Sequence, residues 1–351
     1  MTLPLISVVI PMRNEAAHIG DCLESILAQN YPADCMEVLV VDGRSDDDSR
    51  AVVESFARRD ARVVLLDNPK RIVPGALNTA IRVARGDIVA RVDGHTSLHA
   101  DYLREGVAAL ERSKADNVGG PMVARGGGAV GDAVEMATSS PFGIGAYFHY
   151  GTEERLVDTV YLGMWPRSVF DKVGLFDEEL VRNQDDEFNY RLRKLGGRVL
   201  MTPRMQSSYQ NRQELRVLAR QFYQYGLWKV RVCQKHPRQM SWRHFVPPAF
   251  VLALLLTPVL LLVAPALGQL GLTAIAAYLA LIGAACVHAA RGKSGRSKRW
   301  LPVVFVIIHV AWGLGFLAGL IRFRRRWFEA EPLPPRVGGV AERGGGAGTA
   351  P

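Results

Sequence analysis

Asp93 and His95 stand two residues apart at the end of the apolar run Ile88-Val89-Ala90-Arg91-Val92. A carboxylate and an imidazole leaving a sheet edge at that spacing can both reach one divalent cation. The same stretch, Asp93-Gly94-His95, is also ordinary turn chemistry, so its meaning depends on its neighbours. Asp42 ends a second apolar run, Val38-Leu39-Val40-Val41. There its carboxylate can accept hydrogen bonds from a base imide or a ribose hydroxyl, or simply turn the chain into Gly43. A third run leads into Pro11-Met12-Arg13-Asn14-Glu15, with charged and amide groups at the same kind of position. Farther along, Asn183-Gln184-Asp185-Asp186-Glu187 opens a helix that Gly196-Gly197 ends. Carboxylates there complement the helix dipole, and one of them can also act as a general base.

The elements that must hold these groups follow from periodicity. Residues 7–10, 37–41, 63–66 and 87–92 read as strands. Residues 17–27, 46–57 and 74–84 carry apolar side chains at three-to-four spacing and read as helices, with Ser45 at the N-cap of the second. Strands that are apolar throughout, alternating with helices, predict an α/β fold whose parallel sheet is covered on both faces. Ligands of such sheets bind at the carboxyl ends of the strands, where the three polar turns lie. No Gly-x-Gly-x-x-Gly follows the first strand, and no Gly-x-x-x-x-Gly-Lys-Ser/Thr occurs. A diphosphate would therefore be held by a cation on Asp93 and His95. Oxygen-rich, partly hydrated coordination suits Mg2+ or Mn2+, and the imidazole favours Mn2+.

Composition divides the 351 residues in two: a mixed polar and apolar stretch to about residue 235, then long uncharged stretches between 246 and 321. The first apolar run, residues 3–11, lacks a basic flank and a cleavage site, so the N-terminal domain is expected to stay in the cytosol. Cys22, Cys35, Cys233 and Cys286 have no Cys-x-x-Cys spacing and point to neither disulfides nor zinc. The net charge of +9 is gathered after residue 190, around 212–231, 293–299 and 322–326. Beside apolar helices, such clusters suit anionic membrane lipid or phosphate better than nucleic acid.

Residues 246–267, 268–290 and 301–321 each reach the roughly 20 residues that span hydrocarbon. Basic flanks at 235–244 and 291–299 put both ends of the first two on the cytosolic side, with Gly268-Gln269 as the outer turn. A complete third crossing would put Arg322 and Arg324-Arg325-Arg326 outside, against the positive-inside rule. Residues 301–321 also contain Pro302, His309, Gly313, Gly315 and Gly319. A re-entrant or tilted, partly embedded segment is therefore expected as the alternative to a third span. Ahead of them, residues 213–232 form a basic amphipathic pattern. Leu215, Leu218, Phe222, Tyr225 and Trp228 share one face, and Arg212, Arg216, Arg220, Lys229 and Arg231 supply charge, as in an interfacial helix. The tail at 332–351, with Gly344-Gly345-Gly346, reads as disordered.

Taken together, Val9-Ile10-Pro11-Met12-Arg13-Asn14-Glu15, Val41-Asp42-Gly43-Arg44-Ser45-Asp46-Asp47, Gly75-Ala76-Leu77-Asn78 and Gly86-Asp87-Ile88-Val89-Ala90-Arg91-Val92-Asp93 resemble a family 2 glycosyltransferase over residues 4–232. The finer pattern is similar to bacterial exopolysaccharide enzymes of the succinoglycan type. The resemblance implies a GT-A fold, Rossmann-like with helices on both faces of a mostly parallel sheet, followed by C-terminal membrane helices. It implies inverting transfer from a nucleotide-diphospho-sugar, usually UDP-linked, to a lipid-linked or saccharide acceptor at the inner membrane. Its Asp-x-Asp position is written here as Asp93-Gly94-His95.

Residue by residue, the resemblance assigns donor binding to Pro11, Arg13, Asn14, Glu15, Asp42, Ser45, Asn78 and Asp93, and the cation to Asp93 and His95. Counted back from Arg191, Asp185 matches the aspartate of the family's Glu-Asp pair, and Gln184 replaces the glutamate. Asp185 is thus the expected base, Asp186 its nearest competitor, and Glu187 an i,i+4 partner of Arg191. Trp165 is either a sugar-stacking platform or a core aromatic. Acceptor contacts fall to Trp165, Gln221, Gln224 and Tyr225; where processive members read Gln-x-x-Arg-Trp, this chain reads Gln221-Phe222-Tyr223-Gln224-Tyr225, which argues against processive extension. The expected domains are a catalytic unit at 1–210, the amphipathic helix at 211–235 and the membrane region at 246–321. A nucleotidyltransferase on the same sheet, or a non-catalytic membrane scaffold, would share parts of this pattern.

Overall fold

The computed structural model describes residues 3–125, 127–144, 147–210, 214–293 and 295–327. Strand and helix alternate from the start: β1 (Ile6–Met12), α1 (Ile19–Leu27), β2 (Met36–Asp42), α2 (Ser49–Arg59), β3 (Val63–Asp67), α3 (Val73–Val83) and β4 (Ile88–Arg91). There follow β5 (Thr96–Leu98), α4 (Tyr102–Ser113), β6 (Asn117–Gly120), β7 (Met122–Arg125), α5 (Gly128–Thr138), β8 (Arg155–Leu156), β9 (Tyr161–Pro166), α6 (Ser168–Val173), α7 (Gln184–Lys194), β10 (Val199–Met201) and β11 (Ser207–Gln210). Four long helices complete the described chain: α8 (Leu215–Lys235), α9 (Val246–Val263), α10 (Pro265–Ala289) and α11 (Leu301–Arg322).

The main sheet has the order β3-β2-β1-β4-β9-β6-β10-β8. Its first four strands are parallel, and β9 joins them to the far half by antiparallel pairing with β4 and β6. The sheet is thus mixed, its parallel half being the nucleotide-type half expected from the periodicity. Side-chain alternation along β1 explains the two-sided cover. Val8 and Ile10 pack with Ile19, Leu23 and Ile26 of α1, whereas Val9 packs with Ala76, Leu77 and Ala80 of α3. A second, three-stranded sheet has the order β5-β11-β7.

Two local expectations change. Helix α2 starts at Ser49 rather than 46, because Ser45 does not cap it: its backbone N–H and hydroxyl both donate to Asp42 Oδ1, at 3.0 and 2.6 Å. An aspartate holding a turn over its own following residues competes with a helix start. The turn between α9 and α10 falls at Ala264 (φ −149°, ψ 73°), not at Gly268-Gln269, with Pro265 opening α10. Gly268 is instead helical and packed on Leu261.

Helices α9, α10 and α11 are long and apolar enough to cross a membrane. The expected interruption within 301–321 is not seen, since α11 is one continuous helix. Pro302 sits in its first turn, where a missing N–H costs nothing. Its glycines are contact points: a methyl group at Gly313 would lie 2.6 Å from Pro247 O, and one at Gly315 2.0 Å from Tyr223 O. The apolar face of α8 is covered by the same helix, with Leu218 and Phe222 sharing a core with Leu301, Val304, Phe305 and Ile308. Arg212 and the tail at 332–351 lie outside the described residues.

Candidate active site

Because β1, β2 and β4 are parallel neighbours, their carboxyl ends deliver the three polar turns to one edge. The first two turns are laced together. Asn14, at φ 56°, donates its N–H to Ser45 Oγ at 3.0 Å and accepts the Asp46 N–H on Oδ1 at 2.8 Å. Glu15 N donates to Ser49 Oγ at 2.7 Å, and Gly43 N to Met12 O at 2.8 Å. Arg13 reaches Asp46 at 3.7 Å from an exposed position, and Pro11 lies opposite Val41 in the sheet. Asp42 is buried; one oxygen carries the Ser45 turn and the other faces Arg50 at 3.5 Å. The turn-forming role of Asp42 is therefore observed.

At the third turn, Asp93 Oδ1 accepts a 2.9 Å hydrogen bond from Arg91 Nε. Burial raises the Asp93 pKa, but the charges of Arg91, His95 and Arg182 outweigh it and hold the carboxyl below its ordinary range. His95 Nδ1 lies 3.0 Å from Glu15 Oε1, a bond that fixes the ring orientation as carboxylates do behind metal-bound imidazoles. Among the described residues no group of three or more His, Cys, Asp or Glu side chains could hold a metal. One carboxylate and one oriented imidazole fit a Mg2+ or Mn2+ ion that draws its remaining ligands from phosphate oxygens and water.

Across from this turn, α7 begins at Asn183, held in the left-handed region (φ 63°) by a 3.0 Å hydrogen bond from its amide to Tyr225 O. Asp185 sits in the first turn, and its Oδ1 accepts the Asp186 N–H at 2.9 Å. Burial raises its pKa, Arg91 opposes that shift, and Asp186 adds to it; the net direction is upward. Asp186 is tied to Lys229 at 2.6 Å. Glu187 is committed to the interior: it pairs with Arg191 at 2.6 Å and with His236 at 2.9 Å. On α8, Gln221 donates to the Tyr225 hydroxyl at 2.8 Å, and Gln224 accepts from Arg182 at 3.1 Å. The structure thus gathers Gln221, Gln224 and Tyr225 beside the start of α7.

Two expected site residues turn inward. Asn78 is 1% exposed and saturated: its amide donates to Phe176 O and Glu178 Oε1, both at 2.9 Å, and its oxygen accepts Phe176 N at 2.9 Å. Asn78 fastens the loop before α7 to α3 and has no donor left for a ligand. Trp165 is 3% exposed and packs edge-on against Phe170, Phe176 and Phe188, so it is a core aromatic rather than a sugar platform. Conversely, Arg91 and Arg182 belong to the site without having been read from the sequence. Arg91 had a signal, an arginine closing the buried four-residue strand Ile88–Arg91.

Comparisons with known proteins bear on the family and the fold. The family model described as glycosyl transferase family 2 matches residues 7–174. The succinoglycan biosynthesis protein ExoA of Rhizobium meliloti (strain 1021) is 31% identical over 332 residues, covering 91% of this chain and 96% of that one. The dolichyl N-acetyl-alpha-D-glucosaminyl phosphate 3-beta-D-2,3-diacetamido-2,3-dideoxy-beta-D-glucuronosyltransferase of Methanococcus voltae is 28% identical over 248 residues, 68% of this chain and 76% of its own. In fold, the chain is similar to the mannosyltransferase PcManGT of Pyrobaculum calidifontis, solved with GDP-Man and Mn2+. That likeness has a TM-score of 0.57 and 20% identity, and covers 91% of this chain and 88% of the other.

Proposed function

The chain belongs to glycosyltransferase family 2, and on that premise we propose that it moves a sugar from a nucleotide-diphospho donor to a lipid-linked or saccharide acceptor, with inversion, at the cytosolic face of the inner membrane. UDP is the donor nucleotide proposed. Exopolysaccharide or envelope glycan is the product class, which the succinoglycan relative supports. The observation that carries the reading is the pairing of two carboxylates around Arg91: Asp93 in contact with the guanidinium, and Asp185 within reach of its charge.

In this reading the turn at Pro11, Arg13, Asn14 and Glu15, with Asp42 and Ser45, holds the nucleoside. Asp93 and His95 hold Mn2+ or Mg2+, which when bound supplies positive charge to the departing diphosphate. Asp185 accepts the proton of the acceptor hydroxyl as that oxygen bonds to the anomeric carbon and the carbon–oxygen bond to the diphosphate breaks. The upward pKa shift makes Asp185 a stronger base than an exposed aspartate. Gln221, Gln224 and Tyr225 contact the acceptor, and the apolar helices that follow α8 hold the enzyme at the membrane.

Membranes carrying the protein, incubated with radiolabelled UDP-, GDP- and dTDP-sugars and then extracted for lipid, test this. Label should pass to the lipid or saccharide fraction from one donor class. Nucleotide release without sugar transfer, or donor binding with no turnover, would overturn it.

A further inference from the structure

By length and composition α11 is a membrane span, but its surroundings are not those of one. It runs parallel to α8 along its whole length. Near its start, Leu301 and Val304 share a core with Leu218. In the middle, a methyl group at Gly226 would lie 2.0 Å from Trp312 O. Near its end, a methyl group at Gly319 would lie 2.6 Å from Leu227 O, and Gln234 donates to Phe323 O at 2.8 Å.

Helix α8 cannot carry this partner across a bilayer. It holds Arg216, Arg220, Lys229, Arg231 and Lys235, and each charge at the bilayer centre costs about 2.5–3.5 kcal/mol or more. It is also bolted to the catalytic domain. Lys229 pairs with Asp186 and Arg231 with Glu179, each at 2.6 Å, and Lys235 reaches Asp177 at 2.5 Å. Its start follows closely on β11 of the small sheet.

Both ends of α11 touch the same domain. Ser297, just before it, donates to Asp132 Oδ2 of α5 at 3.0 Å, and α5 lies within the stretch that matches the family model. Arg326, just after it, pairs with Glu179. The apolar helices also differ in cover: 44% of the most apolar stretch of α11 is buried, against 22% for α9 and 11% for α10. At the α9–α10 turn Leu262 is 85% exposed and Val263 72%.

We propose that α11 does not cross the membrane but lies in its plane beside α8, so that only the α9–α10 hairpin enters the hydrocarbon. The exposed Arg296, Arg299, Arg324 and Arg325 then face one membrane side together, and the occupant of that surface is a bilayer with anionic head groups. The inference rests on the membrane reading of these helices and is independent of the reaction.

The test compares two labels. In full-length protein with the four native cysteines replaced, single cysteines are placed by Arg296→Cys and Arg325→Cys. Cells are treated with a membrane-impermeant maleimide before and after permeabilisation. Expected is no labelling of either site in intact cells and full labelling of both afterwards. Labelling of one site alone in intact cells means that α11 crosses, and overturns the proposal. Labelling of both in intact cells upholds the in-plane helix and overturns the cytosolic reading instead. Trypsin on the unmodified chain, in spheroplasts and in inverted vesicles, reads the same two basic clusters without any substitution: cleavage at both from one side only upholds the proposal, and cleavage at the two from opposite sides overturns it.

Discussion

Asp93, just past a strand end, and Asp185, at a helix start, are carboxylates under the field of one guanidinium, that of Arg91, yet their pKa values move in opposite directions. Burial pushes both up. Asp93 touches Arg91 and is also drawn down by His95 and Arg182, so its charged form wins. Asp185 feels Arg91 without a hydrogen bond from it and has Asp186 beside it, so its neutral form gains. The lesson is one of division of labour: contact with a cation leaves a carboxylate suited to bind charge, and distance from that cation leaves its partner suited to take a proton.

The sharpest way to break that contrast is to exchange oxygen for nitrogen at Asp185, the proposed base. Asp185→Asn should cut transfer by roughly 100- to 10,000-fold, about 3 to 5.5 kcal/mol of barrier, with donor affinity almost unchanged. Asp93→Asn should do the reverse and lose donor and cation affinity first. Titration calorimetry with donor, beside turnover of radiolabelled sugar, separates the two. Equal loss of donor binding in both variants would collapse the distinction.

Trp165 packs between β4, which leads to Asp93, and α7, which carries Asp185. It lies opposite Val89 of β4 in the sheet and edge-on to Phe188 of α7. Trp165→Ala should destabilise the domain by about 3–5 kcal/mol, read by chemical denaturation, whereas a sugar platform would lose acceptor affinity in a stable protein. Trp165→Phe keeps most of the packing and should remain active.

What was legible in the sequence was local. Apolar runs broken by Asp42 and Asp93 mark strand ends whatever the tertiary context, and the acidic run at 185–187 marks the start of α7. What was not legible depends on partners distant in sequence. Asn78 lies 98 residues from Phe176, whose backbone consumes its amide. Trp165 takes its character from Phe176 and Phe188. Glycine spacing in α11 looks like interruption in one dimension and is close helix contact in three, because a missing Cβ reveals nothing about which backbone will fill the space. The start of α2 was misplaced because Ser45 had two possible partners, and the nearer one, Asp42, took it.

A smaller effect is expected on the strand side. Glu15→Gln keeps the size of the side chain but weakens the acceptor that orients His95. Loss of such a support typically costs about 10- to 100-fold in metal affinity. Mn2+ binding to the purified protein, followed by electron paramagnetic resonance without donor or acceptor, should weaken in that range. Unchanged Mn2+ affinity would remove Glu15 from this role and leave the Asp185 side untouched.

The smallest effect tests the helix side alone. A base works in its deprotonated form, so an upward shift places the acid limb of the rate above the pH expected for an ordinary aspartate. Part of that shift comes from the negative charge of Asp186, and Lys229 partly screens it at 2.6 Å. Asp186→Asn removes the like charge and leaves Lys229 without its partner, and both changes favour ionised Asp185. The acid limb of kcat at saturating donor should therefore move to lower pH, raising the rate on its slope by less than about tenfold, with little change at neutral pH. A limb that moves the other way, or that moves equally in Glu15→Gln, would mean the titrating base is not Asp185. Movement confined to Asp186→Asn ties the proton to the helix start and leaves the strand end with the charge.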